Sequence, residues 1–229
     1  MDEKLAIAQA LKYAEELRDL HRAERGQRRA AEQALASLKE SYGTTVRALA
    51  DSLELRDDST GGHAERVTRL ALRLTREVAP ELADQPDLEY GFLLHDLGKI
   101  GIRDAILLKP GPLDPDELAE MRTHSTLGAN IVDRIPHLSG IARDVVASHH
   151  EAWNGEGYPD GLREDEIPLV ARIFAVVDSF DAMTNDRPYR QARSVSEALA
   201  EIERCAGTQF DPEIARAFVA LARSLRAAA

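Results

Sequence analysis

Residues 93–102 read LLHDLGKIGI and bring an imidazole, a carboxylate and an ammonium group close together along the chain, at His95, Asp96 and Lys99. A neutral imidazole and a carboxylate at adjacent positions can reach one metal ion, and the second carboxylate oxygen can bridge to another ion. The Lys99 ammonium offers a point charge for a phosphate oxygen. Because a lone His-Asp pair occurs by chance on many surfaces, its interpretation depends on the other histidines.

Five of the seven histidines and two aspartates form the candidate set for a metal centre: His63, His95, His124, His149, His150, Asp96 and Asp178. They make a mixed nitrogen and oxygen set of the right size for two first-row metal ions. Intervals of roughly thirty residues suit successive helices of one bundle that share a centre. Any one of these histidines alone would be an ordinary core or surface residue, as we interpret His21 and His137. The set predicts a binuclear site.

The segments around these residues have helical patterns and no convincing strand period, so the sequence predicts an all-α fold. An amphipathic helix opens in TGGHAERV (60–67), with Val67, Leu70, Ala71 and Leu74 facing inward. Further helices are predicted from Tyr90 through His95, from Ile141 to Glu151 and from Leu169 to Met183. Another helix is predicted to begin after an Asp114 cap, with Pro115 and Glu117 in its first turn, and to continue through His124. Two more helices are predicted after caps at Ser194 and Asp211. The segment WNGEGYPDGL (153–162) has three glycines and predicts a functional loop.

Residues 1 to about 56 contain no proline and are rich in Ala, Leu, Glu, Arg and Lys, which predicts a long helix. An apolar seam at spacings of three and four residues is formed by Ile7, Ala10, Ala14 and Leu17, and it resumes at Ala31, Leu35, Leu38, Tyr42, Thr45 and Leu49. The seam is interrupted at 21–28, where charged residues and Gly26 would pack poorly. We interpret residues 1–44 as a parallel dimeric coiled coil that transmits a signal into a domain at 45–229. The alternative is a single amphipathic helix that lies on its own domain.

The chain has 229 residues, a net charge of −11 and a single cysteine, Cys205. Residues 1–40 are neutral overall, so the negative charge lies on the rest of the chain. This charge argues against broad binding to duplex nucleic acid but not against a small anionic ligand at a metal site. No run of 18 apolar residues predicts a membrane span, and the N-terminus has no signal-peptide core. We therefore expect a cytoplasmic protein.

Four segments together resemble the HD-GYP subfamily of the HD-domain metal-dependent phosphohydrolases: HDLGKIGI (95–102), HHEAWNGEGYPDGL (149–162), IPLVARIFAVVDSFDAMTNDRPYR (167–190) and GTQFDP (207–212). Gly157-Tyr158-Pro159 is the eponymous tripeptide. The resemblance covers about residues 45–220 and implies a helical HD-domain bundle that hydrolyses cyclic di-GMP. Residues 1–40 are similar to helical linkers that join such domains to sensor or receiver domains.

The resemblance also implies a role for each candidate ligand. One metal ion would be held by His63, His95, Asp96 and Asp178, and the other by Asp96 as a bridge with His124, His149 and His150. Family members use iron or manganese, although the ligand chemistry alone also permits zinc or nickel. Some members hold a third ion with a glutamate where this chain has Ser59. We therefore expect two divalent metal ions per chain.

The expected reaction is attack on phosphorus by a water that two metals activate, with Lys99 neutralising charge on the phosphoryl oxygens. By resemblance, Arg187 and Arg190 bind the phosphate or the guanine; the alternative is a pair of charges at a helix C-terminus. Tyr158 is expected to stack on guanine, and Trp153 either does so or packs the loop.

Two departures from the family are Asn154-Gly155 in place of Asp-Gly, and DDST (57–60) in place of Asp-Pro-Tyr-Thr.

The prediction is a metal-dependent phosphodiesterase that converts cyclic di-GMP to pGpG, GMP or both. One alternative is an HD phosphohydrolase for another nucleotide, such as a mixed cyclic dinucleotide. Another is a module that binds cyclic di-GMP without cleaving it. Expected partners are a second copy of the chain, through the N-terminal helix, and an upstream sensor or receiver protein. A plain helical scaffold would leave the His/Asp set unexplained.

Overall fold

The computed structural model describes residues 2–56, 62–136, 138, 140–186 and 191–227. The chain packs as two compact units, Met1–Thr45 and Val46–Ala229. Helix α1 comprises Asp2–Arg56. The helices that follow are α2 His63–Val78, α3 Pro80–Ala83, α4 Pro86–Leu93, α5 Asp104–Leu107, α6 Pro115–Arg122, α7 His124–Val132, α8 Ile141–Ser148, α9 Leu169–Thr184, α10 Val195–Arg204 and α11 Pro212–Ala227, with 3₁₀ helices at Leu97–Gly101 and Glu164–Glu166.

The predicted all-α fold with a long N-terminal helix is confirmed. Within the described ranges the regular structure is helical, and extended pairing is limited to one isolated β-bridge between Ala206 and Phe210. None of the helices in the described ranges combines the length and apolar character that crossing a membrane requires.

The first unit consists of the N-terminal part of α1. Large apolar side chains on this part are exposed in the single chain: Leu5, Ile7, Leu11, Tyr13, Leu17, Leu20, Leu35 and Leu38 have between 49% and 72% of their surface accessible. The charged stretch contains surface ion pairs one turn apart, such as Arg28 with Glu32 at 2.8 Å. Such pairs stabilise a helix by only about 0.2–0.5 kcal/mol each.

The core of the second unit lies among α2, α4, α8, α9, α10 and α11. Phe92, Phe174 and Phe218 are among its largest fully buried side chains, and the rings of Phe92 and Phe174 stack with their centroids 5.2 Å apart. Burying a side chain of this size stabilises the fold by about 1.5–3 kcal/mol relative to leaving it exposed. The Phe174 ring centroid also lies 4.7 Å from that of the His95 imidazole. The core therefore supports a candidate ligand directly.

Several predicted helix starts are confirmed by their caps. Asp114 and Glu117 form a reciprocal capping box at the start of α6, and Ser194 and Glu197 do the same for α10. Asp211 accepts a hydrogen bond of 2.8 Å from the backbone of the second residue of α11. On α2, Val67, Ala71 and Leu74 are buried as predicted, with Leu70 partly buried.

The predicted helix ends near the histidines were wrong. His124 is not inside the helix that starts after Asp114, because α6 ends at Arg122 and α7 begins at His124. At the junction the Thr123 amide bonds to the Glu120 carbonyl at 3.0 Å, and the Thr123 hydroxyl donates to that carbonyl at 2.7 Å. This tight turn separates the two helices. His95 likewise follows the end of α4, and His149 caps α8.

Candidate metal centre

Three of the candidate ligands are oriented by backbone carbonyls near helix ends. The last carbonyls of an α-helix lack partners within the helix, and each imidazole donates from Nδ1 to a carbonyl in such a last turn. The pairs are His95 with Phe92 at 2.9 Å, His124 with Met121 at 2.8 Å and His149 with Val146 at 3.1 Å. Because a carbonyl oxygen only accepts, Nδ1 carries the proton and Nε2 presents a lone pair, as a metal ligand must.

One group of four donors consists of Asp96, His124, His149 and His150, whose ligand atoms all lie within 4.8 Å of one another. The Nε2 atoms of His124 and His149 are 3.4 Å apart. Asp96 Oδ1 lies 3.4 Å from His124 Nε2 and 3.9 Å from His149 Nε2. Two Nε2 lone pairs that face each other have no proton to share, so this donor set fits a divalent cation.

A second group of three donors consists of His63, His95 and Asp178, whose ligand atoms meet the same 4.8 Å limit. His63 Nε2 lies 3.3 Å from Asp178 Oδ1. Asp96 lies between the two groups, because its Oδ2 is 3.2 Å from His95 Nε2 while its Oδ1 faces the first group. The two oxygens of one carboxylate therefore face two adjacent donor groups, which is the arrangement of a bridging ligand.

The protonation states in the first group suit a cation. Burial holds the pKa of His149 well below its usual range and lowers the pKa of His150 to about 4. Burial opposes ionisation of Asp96, but the charge of Lys99 and the adjacent His95 imidazole outweigh it and hold the pKa of this carboxyl well below its usual range. The group therefore offers neutral imidazoles and an ionised carboxylate, the forms that bind metal ions.

The pKa of His63 is raised, whereas the pKa values of His149 and His150 are lowered. Burial lowers the pKa of His63, but hydrogen bonds to Asp178 and Asp181 outweigh burial and raise the pKa to about 9. In the metal-free protein a proton therefore stays on His63 between the two carboxylates at neutral pH. A metal ion that binds His63 displaces this proton, so binding to this group releases a proton.

The loop at 153–162 is organised by the buried carboxylate of Glu151. This carboxylate accepts hydrogen bonds from the backbone amides of Asp160 at 2.8 Å and Leu162 at 3.1 Å. A methyl group at Gly157 would overlap the backbone of Glu151 and of the following residue. The close approach of the two backbone segments explains why the loop requires glycine at this position.

Tyr158 lies against the donor groups. Its ring stacks on the His150 imidazole, with centroids 4.7 Å apart and an interplanar angle of 27°. The Arg122 guanidinium lies 5.1 Å from the Tyr158 ring centroid, within the range of a cation–π contact. Burial and the negative charge of Asp96 raise the pKa of the Tyr158 phenol above its usual range. The phenol is therefore neutral and available as a hydrogen-bond donor.

A cavity of about 470 Å³ opens beside the donor groups. Its lining includes His149, His150 and Asp178 together with Tyr158 and Arg122. The volume lies in the range of about 300–1,000 Å³ that is usual for small-molecule sites. The cavity therefore gives a ligand access to ligand atoms of both donor groups.

Trp153 contacts another part of the structure. The Arg172 guanidinium lies 5.6 Å from the Trp153 ring centroid, and the Trp153 amide donates to the Gln209 carbonyl at 3.1 Å. Trp153 lines a separate cavity with Arg163 and Glu164. The sequence left two interpretations of Trp153, stacking on guanine and packing of the loop. These contacts agree with packing of the loop.

Residues 47–214 match the family described as HD domain. The chain belongs to the HD domain family. It is 42% identical over 174 residues to a cyclic di-GMP phosphodiesterase of Thermotoga maritima, a match that covers 75% of this chain and 47% of that protein. It is 38% identical over 180 residues to 3'3'-cGAMP-specific phosphodiesterase 3 of Vibrio cholerae, covering 79% of this chain and 38% of that protein.

A solved structure of a cyclic GMP-AMP specific phosphodiesterase of Vibrio cholerae has the same fold, with a TM-score of 0.62 and 22% identity over 80% of this chain and 49% of that one. The chain spans less than half the length of each of these relatives. The predicted resemblance to the HD-domain phosphodiesterases is confirmed. HD-domain phosphohydrolases depend on metal ions, and this chain has a His/Asp cluster of suitable composition.

All seven predicted ligands of the HD domain fall in the two donor groups. Lys99 lies next to them, with its Nζ 2.8 Å from Asp96 Oδ2. His21 is exposed on α1, in agreement with its interpretation as an ordinary residue. Four other sequence features lie outside the described residues: Arg187, Arg190, His137 and the DDST segment at 57–60, which includes Ser59.

Sequence reasoning missed a carboxylate that orients a candidate ligand. Asp181 Oδ2 accepts a hydrogen bond of 2.7 Å from His63 Nδ1. The Arg66 guanidinium holds the same carboxylate with two hydrogen bonds of 3.0 Å. Partners of this kind fix the orientation and basicity of a metal-bound histidine. The signal that could have found Asp181 is its i, i+3 spacing from Asp178, which places the two carboxylates on one face of α9.

Proposed function

We propose that this HD domain is a metal-dependent phosphodiesterase that hydrolyses cyclic di-GMP to pGpG, GMP or both. The observation that carries the proposal is the Asp96 carboxylate, whose two oxygens face two adjacent donor groups beside a cavity. Relatives that are named cyclic di-GMP phosphodiesterases support the choice of substrate.

The proposed cofactors are two divalent ions per chain, iron or manganese. His63, His95 and Asp178 would hold one ion and His124, His149 and His150 the other, with Asp96 shared. A pair of such ions supplies an activated water and neutralises charge at phosphorus. The neutral imidazoles and the ionised Asp96 carboxylate described above support this assignment.

The side chains around the donor groups would bind and orient the substrate. The Lys99 ammonium neutralises a non-bridging phosphate oxygen, and the neutral Tyr158 phenol donates a hydrogen bond. Arg122 lines the same cavity and offers a planar guanidinium to a second phosphate or to a guanine edge. Arg187 and Arg190 remain proposed substrate contacts on the basis of the sequence resemblance.

Metal content and turnover measured on one sample test this proposal. The protein is purified without chelator, the metals per chain are counted, and cyclic di-GMP is followed by chromatography with added manganese or ferrous iron. About two metals per chain and formation of pGpG or GMP are expected, with loss of turnover in Asp96→Ala. Absence of metal after reconstitution would refute the ligand assignment.

A second candidate substrate is 3'3'-cGAMP, because relatives specific for this dinucleotide are 38% and 35% identical to the chain. A panel of cyclic dinucleotides at equal concentration, compared by kcat/KM, decides between the two substrates. If wild type and Asp96→Ala bind cyclic di-GMP alike and neither forms product, the domain is a binding module.

We further propose that residues 1–44 form a dimeric coiled coil that receives input from an upstream sensor or receiver protein in the cytoplasm. The exposed leucines of this segment support the proposal, since a second copy would cover them. Sedimentation of Leu35→Glu/Leu38→Glu should show a monomer. The control Gln33→Glu/Ser37→Glu adds the same charge outside the seam and should stay dimeric. A monomeric wild type would overturn the proposal.

A further inference from the structure

Arg56, the last residue of α1, binds the segment that carries Lys99. Its guanidinium donates to the carbonyl oxygens of Lys99 at 2.9 Å, Ile100 at 2.8 Å and Ile102 at 2.7 Å, and to the Asp104 carboxylate at 2.8 Å. These carbonyls lie at the C-terminal end of the 3₁₀ helix Leu97–Gly101. A cation is favourable there because the last carbonyls carry partial negative charge.

Glu54, two residues earlier, binds the start of the helix that carries His63. Its carboxylate accepts a hydrogen bond of 2.6 Å from the Gly62 amide and another from the Ala64 amide. Gly62 occupies the N-cap position of α2 and makes no side-chain capping bond. Glu54 supplies the missing acceptor from α1, and an anion at a helix N-terminus is favourable.

We propose that Glu54 and Arg56 are positioning residues of the metal centre, an inference that rests on the proposed function. Glu54 fixes the first turn of α2 and thereby His63, the first residue of that helix. Arg56 fixes the 3₁₀ helix whose N-cap is Asp96 and whose middle residue is Lys99. One turn of α1 thus holds a metal ligand and the phosphate-binding ammonium at the same time.

The two contacts are suited to fine positioning because each uses several bonds from one rigid group. The planar fork of arginine presents its donors to several acceptors in a fixed geometry, whereas the lysine ammonium is a compact point charge on a flexible stem. The Arg56 side chain is 31% exposed, so its pairing with Asp104 alone would stabilise little. The bonds to backbone carbonyls next to Lys99 therefore carry the argument for positioning.

The first experiment compares Glu54→Gln with Asp51→Asn, an exposed carboxylate one turn earlier on α1. Metal-free protein is titrated with Mn²⁺ by calorimetry. Glu54→Gln should weaken one class of Mn²⁺ sites about tenfold to a hundredfold and leave the other class unchanged, while Asp51→Asn should bind like wild type. Wild-type affinity in Glu54→Gln would overturn the assignment of Glu54. This test needs no substrate, so its outcome is separate from that of the proposed function.

The second experiment compares Arg56→Lys with Arg47→Lys, which changes an arginine paired with Glu89 at the surface. Arg56→Lys should lower kcat/KM for cyclic di-GMP about tenfold at unchanged metal content, and should speed amide hydrogen exchange in residues 97–102. If Arg56→Lys lowers only the melting temperature, or behaves like Arg47→Lys in both measurements, Arg56 is merely structural. Absence of turnover in wild type would refute the proposed function. The rate of amide hydrogen exchange in residues 97–102 would still test the role of Arg56, because it needs no substrate.

Discussion

At the scale of single residues, both ring nitrogens of His63 face carboxylates. Asp181→Asn would keep the size of the side chain but remove the negative charge that stabilises the contacts with Arg66 and with His63 Nδ1. We expect Mn²⁺ affinity at the group of His63 to fall about tenfold to a hundredfold, as measured by calorimetric titration of the metal-free protein.

The control for this change is Asp133→Asn. Asp133 pairs with Arg143 at 3.1 Å on the surface, where its side chain is 42% exposed. This variant should bind Mn²⁺ like wild type. Equal affinities in wild type and Asp181→Asn would show that the bond between Asp181 and His63 does not prepare the ligand.

The raised pKa of His63 predicts how the stability of the metal-free protein depends on pH. His63 binds its proton more tightly in the folded state, with a pKa raised from 6.5 to about 9. Its contribution is therefore fully present below pH 6.5 and is lost as the pH rises towards 9. In EDTA, the melting temperature of wild type should fall between pH 7 and 9 more than that of His63→Gln. Parallel curves for the two proteins would contradict the shift.

At the scale of elements, the loop at 153–162 depends on the close approach of Gly157 to the backbone at Glu151. Gly157→Ala forces the two segments apart, which should move Tyr158 off the His150 ring. We expect kcat/KM to fall about a hundredfold with unchanged metal content, because displacement of a positioning group by about 1 Å has effects of this size. Gly26→Ala is the control, since nothing lies within 4 Å of a methyl group there. A Gly157→Ala enzyme with normal kcat/KM would show that the loop adapts.

Helix ends are the elements at which the local patterns were least informative. The caps at Asp114, Ser194 and Asp211 depend on neighbouring residues, so the sequence predicts them. The break at Thr123 has no proline or glycine to mark it, and the turn there places His124 at the start of the next helix. A ligand at a helix end gains the unpaired carbonyls of the preceding turn, which a position inside the helix lacks.

At the scale of the whole molecule, the donor groups link metal binding to folding. The unfolded chain does not hold these residues together, so a metal that binds only the folded state raises its stability. At a free Mn²⁺ concentration 100 times the dissociation constant, the gain is about 2.7 kcal/mol for one site. Thermal unfolding should show a rise in melting temperature for wild type and a smaller rise for Asp96→Ala. No rise in wild type would argue against binding to the folded domain.

The helical class, the capped helix starts, the candidate ligands and the resemblance to HD-domain phosphohydrolases can all be derived from the amino-acid sequence. The helical class and the helix caps depend on residue types at short spacing, where propensity and local hydrogen bonds decide the structure. The candidate ligands and the resemblance depend on residue types in motifs that are distributed along the chain. The packing of the helices was needed to show that Asp181 contacts His63, 118 positions away, and that Arg56 binds the carbonyl of Lys99, 43 positions away. Such contacts form because packed helices bring together residues that are far apart in the sequence. A local sequence pattern does not contain information about which distant residues will meet.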